Sequence, residues 1–75
     1  MNWRKHIVVD PAVLHGTACF KGTRIPVAVV LDNLAAGVSE AELRAEYPTL
    51  PPEAVPAAIA YAAELAKEQI LDLPA

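Results

Sequence analysis

The pair Ile25-Pro26 divides this chain into two unlike parts. A residue that precedes proline is driven out of the α region by the proline ring, so no helix runs through position 25. Proline itself, with its fixed φ, suits the first turn of a helix that follows. Before the divide, the apolar runs are short. Ile7-Val8-Val9 is β-branched and is stopped by Asp10-Pro11, and Ala18-Cys19-Phe20 lies between Gly16 and Gly22. Both read as strands of about three residues. Asp10 is placed to cap one helical turn over Pro11–Leu14, which Gly16 ends.

After the divide the periodicity becomes helical. Val27, Val30, Leu31 and Leu34 fall at i, i+3, i+4 and i+7, and Gly37 provides the stop. Ser39 and Glu42 form an S-x-x-E capping box that starts a second helix, with Leu43 and Tyr47 on its inner face. Pro48 ends it. A third helix is expected from about Pro52 to about Leu71, with Val55, Ile59, Ala62, Ala66 and Ile70 facing the core. Pro56 is awkward in a helix that begins at Pro52, because it then lies past the first turn and removes a hydrogen bond.

The expected fold is therefore mainly α: a three-helix core with a helix-turn-helix and short N-terminal β-strands. Residues 1–25 form the extended β region, 26–71 the helical core and 72–75 a frayed tail, all in one domain of 75 residues. A domain this small buries only about 60% of the surface its unfolded chain exposes. Cys19 is the sole cysteine, so there is no disulfide to compensate, and it reads as a small buried hydrophobe. With 55% hydrophobic residues, the chain is expected to gain stability from an interface. A homodimer is expected through the N-terminal third, since a short strand needs a partner strand. No apolar run approaches the roughly 20 residues of a membrane span, and the first is too short for a signal-peptide core. The expectation is a soluble cytoplasmic protein.

Charge is segregated along the sequence. Arg4, Lys5, Lys21 and Arg24 against Asp10 give residues 1–25 a balance of +3. In residues 26–75, Arg44 and Lys67 face eight acids, a balance of −6. A nucleic-acid footprint would thus be confined to Arg4, Lys5, Lys21 and Arg24. The segment Gly22-Thr23-Arg24 lacks the spacing of a phosphate-binding loop, and Pro26 removes one more donor. It reads as a hinge: Gly22 permits a positive φ, and Thr23 bonds to the local backbone. Arg24 is left either to an ion pair with Asp10 or Asp32 or to a contact with a subunit or nucleic acid. Trp3 reads as an interface anchor. His6, His15 and Asp10 show neither metal-ligand spacing nor triad logic, so no enzyme activity and no cofactor are expected.

The stretch from Leu34 through Gly37 and Ser39 to Leu43 has helix-turn-helix grammar. Yet the helix after the turn carries Glu40, Glu42 and Glu46 against Arg44, a poor complement to phosphates.

Taken together, Asp10-Pro11, Gly16, the run Gly22 to Val27 (GTRIPV), Ala36 to Ser39 (AGVS) and Tyr47-Pro48 with Leu50 resemble domain-of-unknown-function family 433, over roughly residues 7–65. The resemblance implies a homeodomain-like fold with an N-terminal β element. It also implies the role of antitoxin in a type II toxin–antitoxin pair, whose partner is a PIN-like metal-dependent ribonuclease. On that reading Glu64, Glu68, Ile70, Leu71, Asp72 and Leu73 make an acidic-apolar segment suited to a cationic active site. The alternative is a DNA-binding helix-turn-helix regulator, and the two roles are compatible.

Overall fold

The computed structural model describes residues 1–12 and 16–68. In chain order they form a 3-10 turn (Trp3–Lys5), strands β1 (Ile7–Val9) and β2 (Ala18–Phe20), and helices α1 (Val27–Ala35), α2 (Glu40–Glu46) and α3 (Ala54–Glu68). This is the mainly helical domain with a short N-terminal ribbon that the sequence predicts.

The two strands pair with each other, antiparallel, in the register Ile7–Phe20, Val8–Cys19 and Val9–Ala18. The Lys21 N–H donates to the His6 carbonyl at 2.8 Å. That bond makes Ile7–Phe20 a non-hydrogen-bonded pair and Val8–Cys19 the bonded pair. Phe20 then turns its N–H to the other side, where the Ile25 carbonyl accepts it at 3.2 Å. Cys19 also bridges Pro26. The outer edge of β2 is thus closed by the residues that lead into α1, and each strand finds its partner within the chain. A ribbon of two strands is marginal alone. This one is fixed because Ile7 and Phe20 project into the core, beside Val27, Val30, Leu43 and Leu50.

Helix α1 buries Val27 and Val30, with Leu31 and Leu34 packed at the margin. Pro26 precedes it in extended conformation, at φ −65° and ψ 143°. Its C-terminus is a Schellman motif. The Val38 N–H donates to the Asn33 carbonyl and the Gly37 N–H to the Leu34 carbonyl, each at 3.0 Å. Gly37 has φ +86°, the left-handed conformation this motif demands.

Helix α2 starts where the capping box places it. The Ser39 hydroxyl oxygen accepts the Glu42 N–H at 3.1 Å. The Glu42 carboxylate then accepts the Ser39 hydroxyl at 3.0 Å, a link between the two side chains. Leu43 is the buried residue of this helix.

Helix α3 departs from expectation in two ways. It begins at Ala54, two residues after Pro52, so Pro56 is its third residue. The N–H groups of a first turn have no intrahelical acceptor, and the proline there removes no bond. The second departure is rotational. Val55 packs against the core as expected, but Ala54, Ala57 and Ala58 are the completely buried residues, whereas Ile59 is 52% exposed and Ala66 lies at the surface. Periodicity favours the faces with the largest apolar residues. What decides here is that α3 lies against α1 and the 3-10 turn, and alanines let the helix backbones approach. Residues 69–71, the expected end of this helix, lie outside the described residues.

Candidate interaction surfaces

Three groups of side chains carry the exposed chemistry. The first is a clasp that ties the N-terminal turn to α3. Asn2 Oδ1 accepts the Arg4 N–H at 3.2 Å and shapes the turn. Trp3 meets Tyr61 edge-on, with centroids 4.9 Å apart and planes at 80°, a favoured geometry for aromatic quadrupoles. Its indole Nε1–H donates to the Glu64 carboxylate. The Arg4 guanidinium lies 4.4 Å above the Trp3 ring and reaches Glu64 Oε1 at 2.9 Å. The hydrogen bond from Arg4, then the one from Trp3, hold the Glu64 carboxyl below the ordinary glutamate range. Arg4 and Glu64, read from the sequence as belonging to two different contact sites, therefore face each other. Trp3 is spent within the chain and does not stand out as an anchor. The 60 residues that separate Arg4 from Glu64 leave no local signal of this pairing.

The second group is the loop after β2. Gly22 has φ +77°. The Thr23 hydroxyl donates to the Phe20 carbonyl at 2.8 Å and accepts the Ile25 N–H at 3.1 Å. The Thr23 N–H also donates to Phe20, at 3.1 Å. With those donors turned inward the loop is a self-bonded hinge, as its sequence predicts, and not a phosphate cradle. Arg24 lies at its surface and, among the described residues, makes no ion pair with Asp10 or Asp32. Arg24 and Asp10 instead stand on the wall of one half-open cavity of about 370 Å³, whose apolar side is Val8 and Cys19. Asp10 Oδ1 accepts the Ala12 N–H at 2.9 Å. Residues 13–15, where the expected helical turn and His15 fall, lie outside the described residues. Gly16 follows them at φ +82°. Lys5 and Lys21 are exposed near each other, because Lys21 bonds to the backbone of His6. Cys19 is a free, buried thiol whose Sγ lies 3.4 Å from the Thr17 carbonyl.

The third group is α2. Glu40, Glu42 and Glu46 are all exposed. Arg44, the one base of this helix, is folded back. Its Nε donates to Glu40 at 2.9 Å, and its two terminal nitrogens donate to the carbonyls of Leu50 and Pro52 at 3.2 and 2.7 Å. The guanidinium thereby fixes the connector between α2 and α3. The spacing of Glu40 and Arg44 at i and i+4 carries a sequence signal for half of this arrangement. The carbonyl contacts carry none. Helix α2 occupies the position of the second helix in a helix-turn-helix, yet its solvent face is acidic, and its single cation is withdrawn from it.

Glu68 is the last residue of α3, and Ile70, Leu71, Asp72 and Leu73 lie outside the described residues. Among the described residues, no group of three or more His, Cys, Asp or Glu is placed to hold a metal ion. No described helix is long and apolar enough to cross a membrane.

Comparison with solved structures finds a similar fold in the crystal structure of a DUF433 member protein from Anabaena variabilis ATCC 29413. The two chains are 34% identical, with a TM-score of 0.73. The match covers 83% of this chain and 61% of the other, so this chain spans less than two thirds of that protein's length. No curated protein matches. Residues 7–62, from β1 into α3, match the family described as "Protein of unknown function (DUF433)". The chain belongs to the DUF433 family.

Proposed function

We propose that this domain is the antitoxin-like binding module of a type II toxin–antitoxin pair, and that it neutralises a PIN-like ribonuclease in the cytoplasm. As proposed, it acts by contact alone, without catalysis or a cofactor. The observation that carries this reading is the acidic solvent face of α2, with Arg44 withdrawn into the chain. An RNA-cleaving partner must present a cationic groove to its substrate. A surface bearing Glu40, Glu42 and Glu46 complements such a groove and repels a nucleic-acid backbone. Glu68 at the end of α3 leads into the acidic-apolar segment Ile70, Leu71, Asp72 and Leu73, which extends the same complementarity.

Co-purification with the product of the adjacent open reading frame tests this, with ribonuclease activity as a second readout. The wild-type chain is expected to bind and inhibit. The double reversal Glu42→Lys, Glu46→Lys and a chain truncated after Leu65 are each expected to lose at least tenfold in affinity. Undiminished binding and inhibition by both variants would sink the proposal.

A DNA-binding role, alone or within the complex, is the second reading. It rests on the three-helix architecture and on Lys5, Lys21 and Arg24, which are exposed on the ribbon side and form no ion pair among the described residues. Arg4 adds less to such a footprint because Glu64 neutralises it. A mobility-shift assay on the chain's own promoter decides. Retention that survives joint loss of Lys5, Lys21 and Arg24 would contradict this placement.

A further inference from the structure

Among the described residues, Arg4 is the one lysine or arginine of the N-terminal third that the fold pairs with an acid. Lys5, Lys21 and Arg24 stand exposed without such a pair. The contact that holds Arg4 is a fork on a fork. Its Nη2 donates to Glu64 Oε1 at 2.9 Å and its Nη1 to Glu64 Oε2 at 3.4 Å. The same carboxylate accepts the Trp3 indole N–H, which orients it toward the guanidinium. Anchor and latch are separate groups. Trp3 packs on Tyr61 and keeps the turn docked on α3. The Arg4 side chain is 63% exposed and that of Glu64 34%, so the pair faces solvent. Rotation about the side-chain bonds of Arg4 frees the guanidinium while the turn stays in place. Glu64 then keeps a cation nearby, because Lys67, one turn further along the helix, also favours its charged form.

We propose that this clasp is an autoinhibitory contact: Glu64 holds Arg4 out of the nucleic-acid footprint of Lys5, Lys21 and Arg24, and a nucleic-acid backbone completes its hold by drawing Arg4 off Glu64. The proposal rests on the DNA-binding reading above and adds its regulation. Glu64 acts as an internal stand-in for a phosphate, since a carboxylate and a phosphate both accept the two parallel N–H groups of an arginine. An exposed ion pair is weak, and a cation–π contact at the surface adds little to it. A phosphate backbone that already touches Lys5, next to Arg4 in the chain, therefore competes for the guanidinium with success. A single free phosphate, without those neighbouring contacts, does not. The clasp thus raises the threshold for binding without removing the site.

Fluorescence anisotropy of a labelled promoter duplex, over a series of salt concentrations, tests this on the full chain. Glu64→Gln is expected to bind about three- to tenfold more tightly than the wild type, the scale of one ion pair gained at a surface. Its dependence of log affinity on log salt should steepen by about 0.9, one further phosphate contact. Glu64→Ala repeats the test, and circular dichroism checks that each variant is folded. A double-mutant cycle separates release of Arg4 from the mere loss of a repelling carboxylate. Arg4→Gln in the wild type is expected to cost about twofold or less. In the Glu64→Gln background it should remove the whole gain and return the salt dependence to that of the wild type. Equal losses from Arg4→Gln in the two backgrounds would show that Glu64 acts by repulsion alone, and would overturn the proposal. Unchanged affinity in both Glu64 variants, while the wild type binds through Lys5, Lys21 and Arg24, would overturn the clasp and leave the DNA-binding reading standing. Absence of binding by every one of these chains would overturn both. An effect of Glu64→Gln confined to the nuclease complex, with the DNA affinity unmoved, would assign Glu64 to the protein partner and likewise overturn the proposal.

Discussion

Substituting Ala58→Leu and Ile59→Ala, one at a time, distinguishes the face of α3 that forms the core. Ala58 has no exposed surface and sits among Ala54, Ala57 and the helix α1 valines. Leucine adds three carbons at a position with no exposed surface, and overpacking of this kind costs about 1–3 kcal/mol. At roughly 0.05–0.15 kcal/mol per residue, the whole domain is stable by about 4–11 kcal/mol. The cost is thus a large share of the total, and at about 4–8 °C per kcal/mol it lowers Tm by roughly 5–20 °C. Ile59 is half exposed. Full burial of an isoleucine contributes about 1.5–3 kcal/mol, so half of that, near 1 kcal/mol, is at stake. The better helix propensity of alanine returns up to about 0.7 kcal/mol. Ile59→Ala should therefore cost less than about 1 kcal/mol. Urea unfolding, at a protein concentration where sedimentation shows a monomer, reads both numbers from shifts in midpoint at constant m. Had the apolar periodicity located the core correctly, Ile59→Ala would cost about 2–5 kcal/mol. A loss of that size, with Ala58→Leu tolerated, would refute the packing described for α3.

Gly37→Ala should destabilise by about 1–2 kcal/mol, from the left-handed backbone alone, since an added Cβ meets no atom within 4 Å; thermal unfolding measures it. Ser39→Ala should cost about 1 kcal/mol through the lost N-cap of α2, and Ser39→Asp should recover most of it by the same assay. Acid should open the clasp between the N-terminal turn and α3. The folded Glu64 carboxyl titrates below its unfolded value, so its contribution is complete above the ordinary glutamate range and is lost as pH falls through the lowered folded value. Trp3 is the only tryptophan, and its fluorescence should report this transition. Glu64→Gln should abolish the dependence, and a transition unchanged by that substitution would contradict the assignment.

The ribbon, α1 and α2 were legible because local chemistry fixes their ends. Pro26, Gly37 and Ser39 each act within a few residues of themselves; Gly37 and Ser39 are found in their expected backbone roles, and Pro26 stands one residue earlier than expected, as the extended N-cap of α1. The hinge over Gly22 and Thr23 was legible for the same reason. The orientation of α3 was not. Its sequence offers apolar residues on most sides, and the choice among them depends on which helix lies alongside and how closely. The partners of charged side chains were the least legible. Arg4 and Glu64 meet across most of the chain, while Arg24, on the same cavity wall as Asp10, forms no ion pair with it. An exposed arginine has many conformations to lose, and a surface pair gains little by fixing one.

The central claim is that the acidic α2 face serves a cationic protein partner and not a nucleic acid. Calorimetric titration of the full chain with the product of the adjacent open reading frame, and in parallel with promoter DNA at one moderate salt concentration, tests it most directly. The account predicts a saturable complex with the nuclease that inhibits its activity and weakens at least tenfold on Glu42→Lys, Glu46→Lys substitution. Tight, saturable binding of the DNA with no heat from the nuclease, or a nuclease complex strengthened by those lysines, would contradict it.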